Sequence, residues 1–184
     1  MRTIICLLLT TTTSLIAAEL EGVKMPDSVS VGGKQLTLNG MGIRKYSIFK
    51  VKVYIAGLYT EKKSEDENEI LKSTGHKQVR MEFLKPGPAS GTREAWRDFL
   101  KQNWDGEWST VSPTAEKYLA LLTDVKSGDV MIHDFYPEKV VVFLGDKKLG
   151  EVPDKTFPPL LLSTWIGRKP STEELKEGLL GKKP

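Results

Sequence analysis

The segment Phe49–Thr60 restricts the fold more than any other part of this chain. Side chains alternate across a strand. Val51, Val53, Ile55, Gly57 and Tyr59 therefore share one face, and Lys52, Tyr54, Ala56 and Leu58 share the other. Both faces carry apolar groups, so the strand must lie inside a sheet and be covered on each side for part of its length. More strands surround it. Val29-Ser30-Val31 and Gln35 to Asn39 flank Gly32-Gly33 as a hairpin. Asn39-Gly40-Met41-Gly42 reads as a turn that exploits glycine's freedom at positive φ, leading into a strand at Ile43–Tyr46.

Past a charged connector at Lys62–Asn68 and a short helix bearing Ile70 and Leu71, His76–Leu84 returns as a strand that ends before Pro86-Gly87-Pro88. Thr92–Trp104 places Ala95, Trp96, Phe99, Leu100 and Asn103 on one helical face. A second helix is expected to open at Ser112-Pro113, with serine as N-cap, and to turn Tyr118, Leu119, Leu121, Leu122 and Val125 inward before Ser127-Gly128. Asp129–Phe135, Lys139–Leu144 and Lys147–Val152 form a meander. Asp154–Ile166 reads as a helix stopped by Gly167, and Ser171-Thr172-Glu173-Glu174 as the capping box of a last helix carrying Leu175, Leu179 and Leu180. Strands, helices, strands, helices in that order predict an α+β domain with an antiparallel sheet and a helical layer. No repeat of 20 to 50 residues points to a solenoid.

The N-terminus reads as an export signal. Arg2, the apolar run Ile4–Leu9 and the small pair Ala17-Ala18 before Glu19 follow the three-part pattern, and the run falls short of the roughly 20 residues that span a bilayer. Residues 1–18 are thus expected to be a cleaved signal and residues 19–184 a single domain, periplasmic or secreted, with no later segment apolar enough to cross a membrane. Cys6 is the only cysteine and lies in the signal, so the exported domain holds neither a disulfide nor a thiolate metal site. A formal charge of +3, one unit lower without Arg2, has no clustering that suits nucleic acid. His76 and His133 stand in no metal-ligand or triad pattern and read as surface histidines. No phosphate loop, nucleophile elbow or dinucleotide fingerprint occurs, and neither metal nor cofactor is expected.

The chemistry then rests on polar groups at inward positions: Arg44, Tyr54, Trp96, Asn103 and Thr164. Arg44 follows a glycine-rich stretch and suits a two-pronged contact with a carboxylate or a developing enolate. Trp96 and Asn103 lie two helical turns apart on one face. Each residue also has a plainer role. Arg44 can pair with an acid at the strand edge, Tyr54 and Trp96 can pack, Asn103 can cap its helix, and Thr164 can bond back to its own turn.

Glu21 to Pro26, Leu38-Asn39-Gly40-Met41-Gly42-Ile43-Arg44, Phe49 to Tyr59 and Leu162-Ser163-Thr164-Trp165-Ile166-Gly167 together resemble the chalcone isomerase-like family, and more closely its exported bacterial branch. The resemblance runs from about Gly22 to Gly181. It implies an open-faced β-sandwich, a large antiparallel sheet with a layer of helices and a ligand cleft between them. In the plant enzymes of the family, an arginine, two threonines (the second sometimes serine), a tyrosine and an asparagine surround a chalcone during its ring closure. Plastid relatives without that activity hold a fatty acid by its carboxylate. Carried over, the arginine matches Arg44, the strand threonine falls on Tyr54, the helix tyrosine and asparagine fall on Trp96 and Asn103, and the late threonine falls on Thr164. Trp96 offers only an N–H donor where the enzymes have a hydroxyl, and Tyr54 narrows the flat pocket. The resemblance therefore implies a binder of a fatty acid or similar amphipathic carboxylate more than an enzyme. The alternative is an intramolecular lyase on an unknown substrate, and a third reading is an envelope protein that binds another protein, with a collapsed cleft.

Overall fold

The computed structural model describes residues 18–182. The expected export signal lies outside the described residues except for Ala18. A small hairpin of β1 (Ala18–Leu20) and β2 (Val23–Met25) comes first. Seven antiparallel strands then pair in chain order: β3 (Ser28–Val31), β4 (Lys34–Tyr46), β5 (Val51–Thr60), β6 (Lys77–Phe83), β7 (Val130–Tyr136), β8 (Lys139–Leu144) and β9 (Lys147–Pro153). The helices are α1 (Glu67–Lys72), α2 (Ala89–Asn103), α3 (Trp108–Leu121), α4 (Phe157–Ile166) and α5 (Glu173–Leu179). Curled antiparallel sheet and helices make the α+β class expected from the strand and helix order.

The two-faced strand β5 sits between β4 and β6, third in the sheet. On its helix-facing side Tyr54, Ala56 and Leu58 join the main core with Trp96, Leu100, Tyr118, Phe157 and Trp165. On the reverse side Ile55 packs with Ile43, Val23 and Met25 of the small hairpin, and Tyr59 with Val31, Leu36 and Leu38. Apolar groups on both faces thus find cover on both faces, which removes the strand's apolar surface from water.

Four local expectations are corrected. Asn39–Gly42 is not a turn, because β4 runs unbroken through it and neither glycine has positive φ. A Cβ on Gly40 would fall on the Gly178 carbonyl, and one on Gly42 on the Leu175 carbonyl, so these glycines admit the backbone of α5. Asn39 occupies the register shift beside Gly40 and donates to the carbonyls of Leu179 (2.8 Å) and Ser64 (3.0 Å), tying α5 to the sheet. Helix α3 starts at Trp108 rather than at Ser112, with Pro113 inside it, because Trp108 packs against the core and tertiary burial outweighs the proline's preference for a first turn. The cap of α5 is Thr172, whose hydroxyl accepts from the Leu175 N–H, not Ser171. Finally, His133 is fully buried on β7 rather than at the surface, its Nε2 lying 3.0 Å from the Tyr118 hydroxyl. His76 is half-buried beside Glu61.

Candidate functional site

Cross-strand registration builds the site. Arg44 on β4 pairs with Tyr54 on β5, and Tyr54 with Phe83 on β6, so three side chains stand in a row across the helix-facing side of the sheet. Tyr54 and Phe83 meet edge to face at 5.7 Å. Helix α2 lies opposite, presenting Thr92, Ala95, Trp96 and Phe99 at helical spacing. Between the row and the helix is a cavity of about 350 Å³, lined also by Ser171 and by the exposed Tyr46. Its walls are mostly apolar, with Val53 and Met81 completing the floor.

Arg44 is the one cation lining this cavity among the described residues. Its Nη1 donates to the Lys45 carbonyl at 2.9 Å and its guanidinium lies 5.4 Å from the Phe99 ring centroid, an arrangement that holds the charge in place. Among the described residues no carboxylate is within ion-pair distance of it. The guanidinium therefore keeps hydrogen-bonding capacity for an anion.

Burial raises the pKa of Tyr54, while the Arg44 charge and the nearby Ser171 and Trp165 side chains pull the other way. The phenol stays neutral at pH 7 and remains a donor. Ser171 Oγ and Trp165 Nε1 lie beside it without completing a hydrogen bond, so two buried polar atoms have no protein partner. Unmet buried groups of this kind cost free energy and are met by water or ligand in a filled site.

Of the five residues singled out in the sequence, Arg44, Tyr54 and Trp96 line the cavity and Asn103 and Thr164 do not. Asn103 donates to the carbonyls of Phe99 (2.9 Å) and Lys169 (2.7 Å) and accepts from the Lys169 N–H, clasping the end of α2 to the loop before α5. Thr164 bonds back to the Leu161 carbonyl at 2.7 Å, and its own carbonyl accepts from the Ser171 N–H. Both residues place the loop that carries Ser171. Sequence reasoning passed over Ser171 because it was read as a cap. Ser171 and Thr172 are adjacent capping candidates, and since one helix uses one cap, the other hydroxyl is left for the cavity. Phe83 was missed because its row with Tyr54 depends on strand register.

A curled antiparallel sheet facing a helix across a mostly apolar cavity, with a guanidinium on its wall, defines this α+β architecture. A family profile described as chalcone isomerase-like matches residues 17–181, and the chain belongs to that family. Among solved structures, the chain is similar to the crystal structure of an Arabidopsis thaliana fatty-acid binding protein, with a TM-score of 0.69 and 16% identity over 86% of this chain and 92% of that one. At that identity the likeness shows the fold. A sequence search of curated proteins gave no match.

Proposed function

We propose that this chain is an exported, non-catalytic binding module that holds a fatty acid or a similar amphipathic carboxylate between sheet and helices. The observation that carries this reading is Arg44, a guanidinium with no acidic partner among the described residues, on the wall of a mostly apolar cavity. An apolar tail with one anionic end matches both features. The Tyr54 hydroxyl beside Arg44 and the Ser171 hydroxyl beside Tyr54 supply further donors for the carboxylate. The fatty-acid binding protein of the same fold supports the reading, and the N-terminal signal pattern supports export. At the helix position where the resemblance puts the enzymes' tyrosine, Trp96 offers only an N–H donor, which favours binding over ring closure.

The test is native mass spectrometry with fatty-acid titration of the protein and its Arg44→Ala variant. Loss of a charged hydrogen bond weakens binding by about ten- to a hundredfold. A co-purifying fatty acid that disappears in the variant supports the module. A protein that takes up no fatty acid yet cyclises a chalcone overturns it in favour of the isomerase reading.

A further inference from the structure

The turn between β4 and β5 exposes large apolar side chains that nothing in the described chain covers. Ile48 is 90% exposed and Phe49 82%, with Tyr46 at 64% and Val51 at 42% beside them. These are the large hydrophobic residues that the described chain leaves exposed, and they sit together at one hairpin tip. The tip is built rather than frayed. The Lys50 N–H donates to the Ser47 carbonyl at 3.0 Å, the Phe49 N–H donates to Ser47 Oγ at 3.3 Å, and Ser47 and Lys50 both adopt positive φ. That backbone is costly for residues with a Cβ, and it thrusts Ile48 and Phe49 outward.

The hairpin's own charges are all basic. From Arg44 to Thr60 the chain has Arg44, Lys45, Lys50 and Lys52 and no acid. Glu174 pairs with Lys45 at 2.6 Å and Glu21 with Lys52 at 2.7 Å, whereas Lys50, at the tip itself, has no carboxylate partner among the described residues. Exposed Lys85 follows β6 at the same end of the sheet, since Leu84 bonds to Val53. An apolar point carrying Lys50 at its tip and Lys85 nearby, neither with a carboxylate partner among the described residues, fits the boundary of an anionic bilayer, where rings and aliphatic chains enter the acyl layer and ammonium groups remain among the phosphates.

We propose that the Tyr46–Val51 tip docks this protein onto an anionic lipid surface, with Ile48 and Phe49 inserted and Lys50 at headgroup depth. Docking stands on the tip alone and is independent of what the cavity holds. Its consequence for transfer rests on the proposed function: Arg44 and Tyr46, on the stretch of β4 that leads into the tip, also line the cavity, so a docked molecule holds its cavity next to the bilayer.

The experiment is flotation of the purified protein with phosphatidylglycerol-containing and pure phosphatidylcholine vesicles. It is repeated with Ile48→Ser/Phe49→Ser and with Lys50→Glu, all identical at their N-termini. Wild type is expected to float with the anionic vesicles. The double variant should bind about a hundredfold more weakly, and Lys50→Glu at least about fivefold more weakly. Unchanged melting temperature and fatty-acid affinity would show that both variants fold and keep the cavity. Equal flotation of wild type and double variant, or no flotation of wild type, overturns the proposal. So does wild-type self-association in sedimentation equilibrium that the double variant abolishes without vesicle binding, which would make the tip a contact between copies.

Discussion

His133, outside the cavity lining, couples the stability of the fold to pH. It is enclosed by Trp96, Trp165 and Tyr118, its Nδ1 has no hydrogen-bond partner, and burial pushes its pKa down to about 3. The folded protein keeps the imidazole neutral where the unfolded chain, near 6.5, protonates it. The unfolded state therefore binds more protons below that pH, and stability falls as the pH drops from 6.5 toward 3, at up to about 1.4 kcal/mol per pH unit. Urea midpoints measured from about pH 7 to about pH 5.5, above most carboxylate titration, should show this loss. His133→Gln, which keeps a polar partner for Tyr118, should flatten it. An equally steep profile in the variant would assign the pH dependence elsewhere.

At the scale of elements, the contact between β4 and α5 decides where the loop that carries Ser171 sits. Gly40, Gly42 and Gly178 bring the two backbones together, and the Lys45–Glu174 and Lys176–Glu67 pairs flank the contact. Gly178 makes a clean test because two principles oppose each other there. Helix propensity alone favours Gly178→Ala by about 1 kcal/mol. The added Cβ, however, would fall on the Met41 carbonyl and lie 2.7 Å from Gly42 Cα, an overpacking that costs about 1–3 kcal/mol. Packing should win. Chemical denaturation should show Gly178→Ala less stable than wild type, and a gain in stability would mean α5 is free to shift.

For the whole molecule, sheet and helices are two layers whose separation between Phe83 and Trp96 is left partly open. A ligand that fills this space binds the folded state only. At a hundred times its Kd it adds about 2.7 kcal/mol, which for a chain of this length raises Tm by about 5–10 °C. Differential scanning fluorimetry across a fatty-acid series should show that rise, and Arg44→Ala should lose most of it. A shift of the same size in the variant would detach the anionic end from Arg44.

Sequence by itself determined most strands of the seven-stranded sheet, most of the helices and the α+β class, because side-chain period and turn residues act over a few positions and need no partner, but it marked no strand at β1 or β2. It also singled out Arg44, Tyr54 and Trp96, which the fold brings to one cavity. It misread Asn39–Gly42, whose glycines answer to the carbonyls of α5 over 130 residues away rather than to a local turn. Asn103 shares a helical face with Trp96 and Thr164 is buried on α4, yet both spend their polar atoms on nearby backbone and on the loop before α5. Ser171, the burial of His133 and the Arg44–Tyr54–Phe83 row depend on register and on long-range contacts, which only the tertiary structure sets.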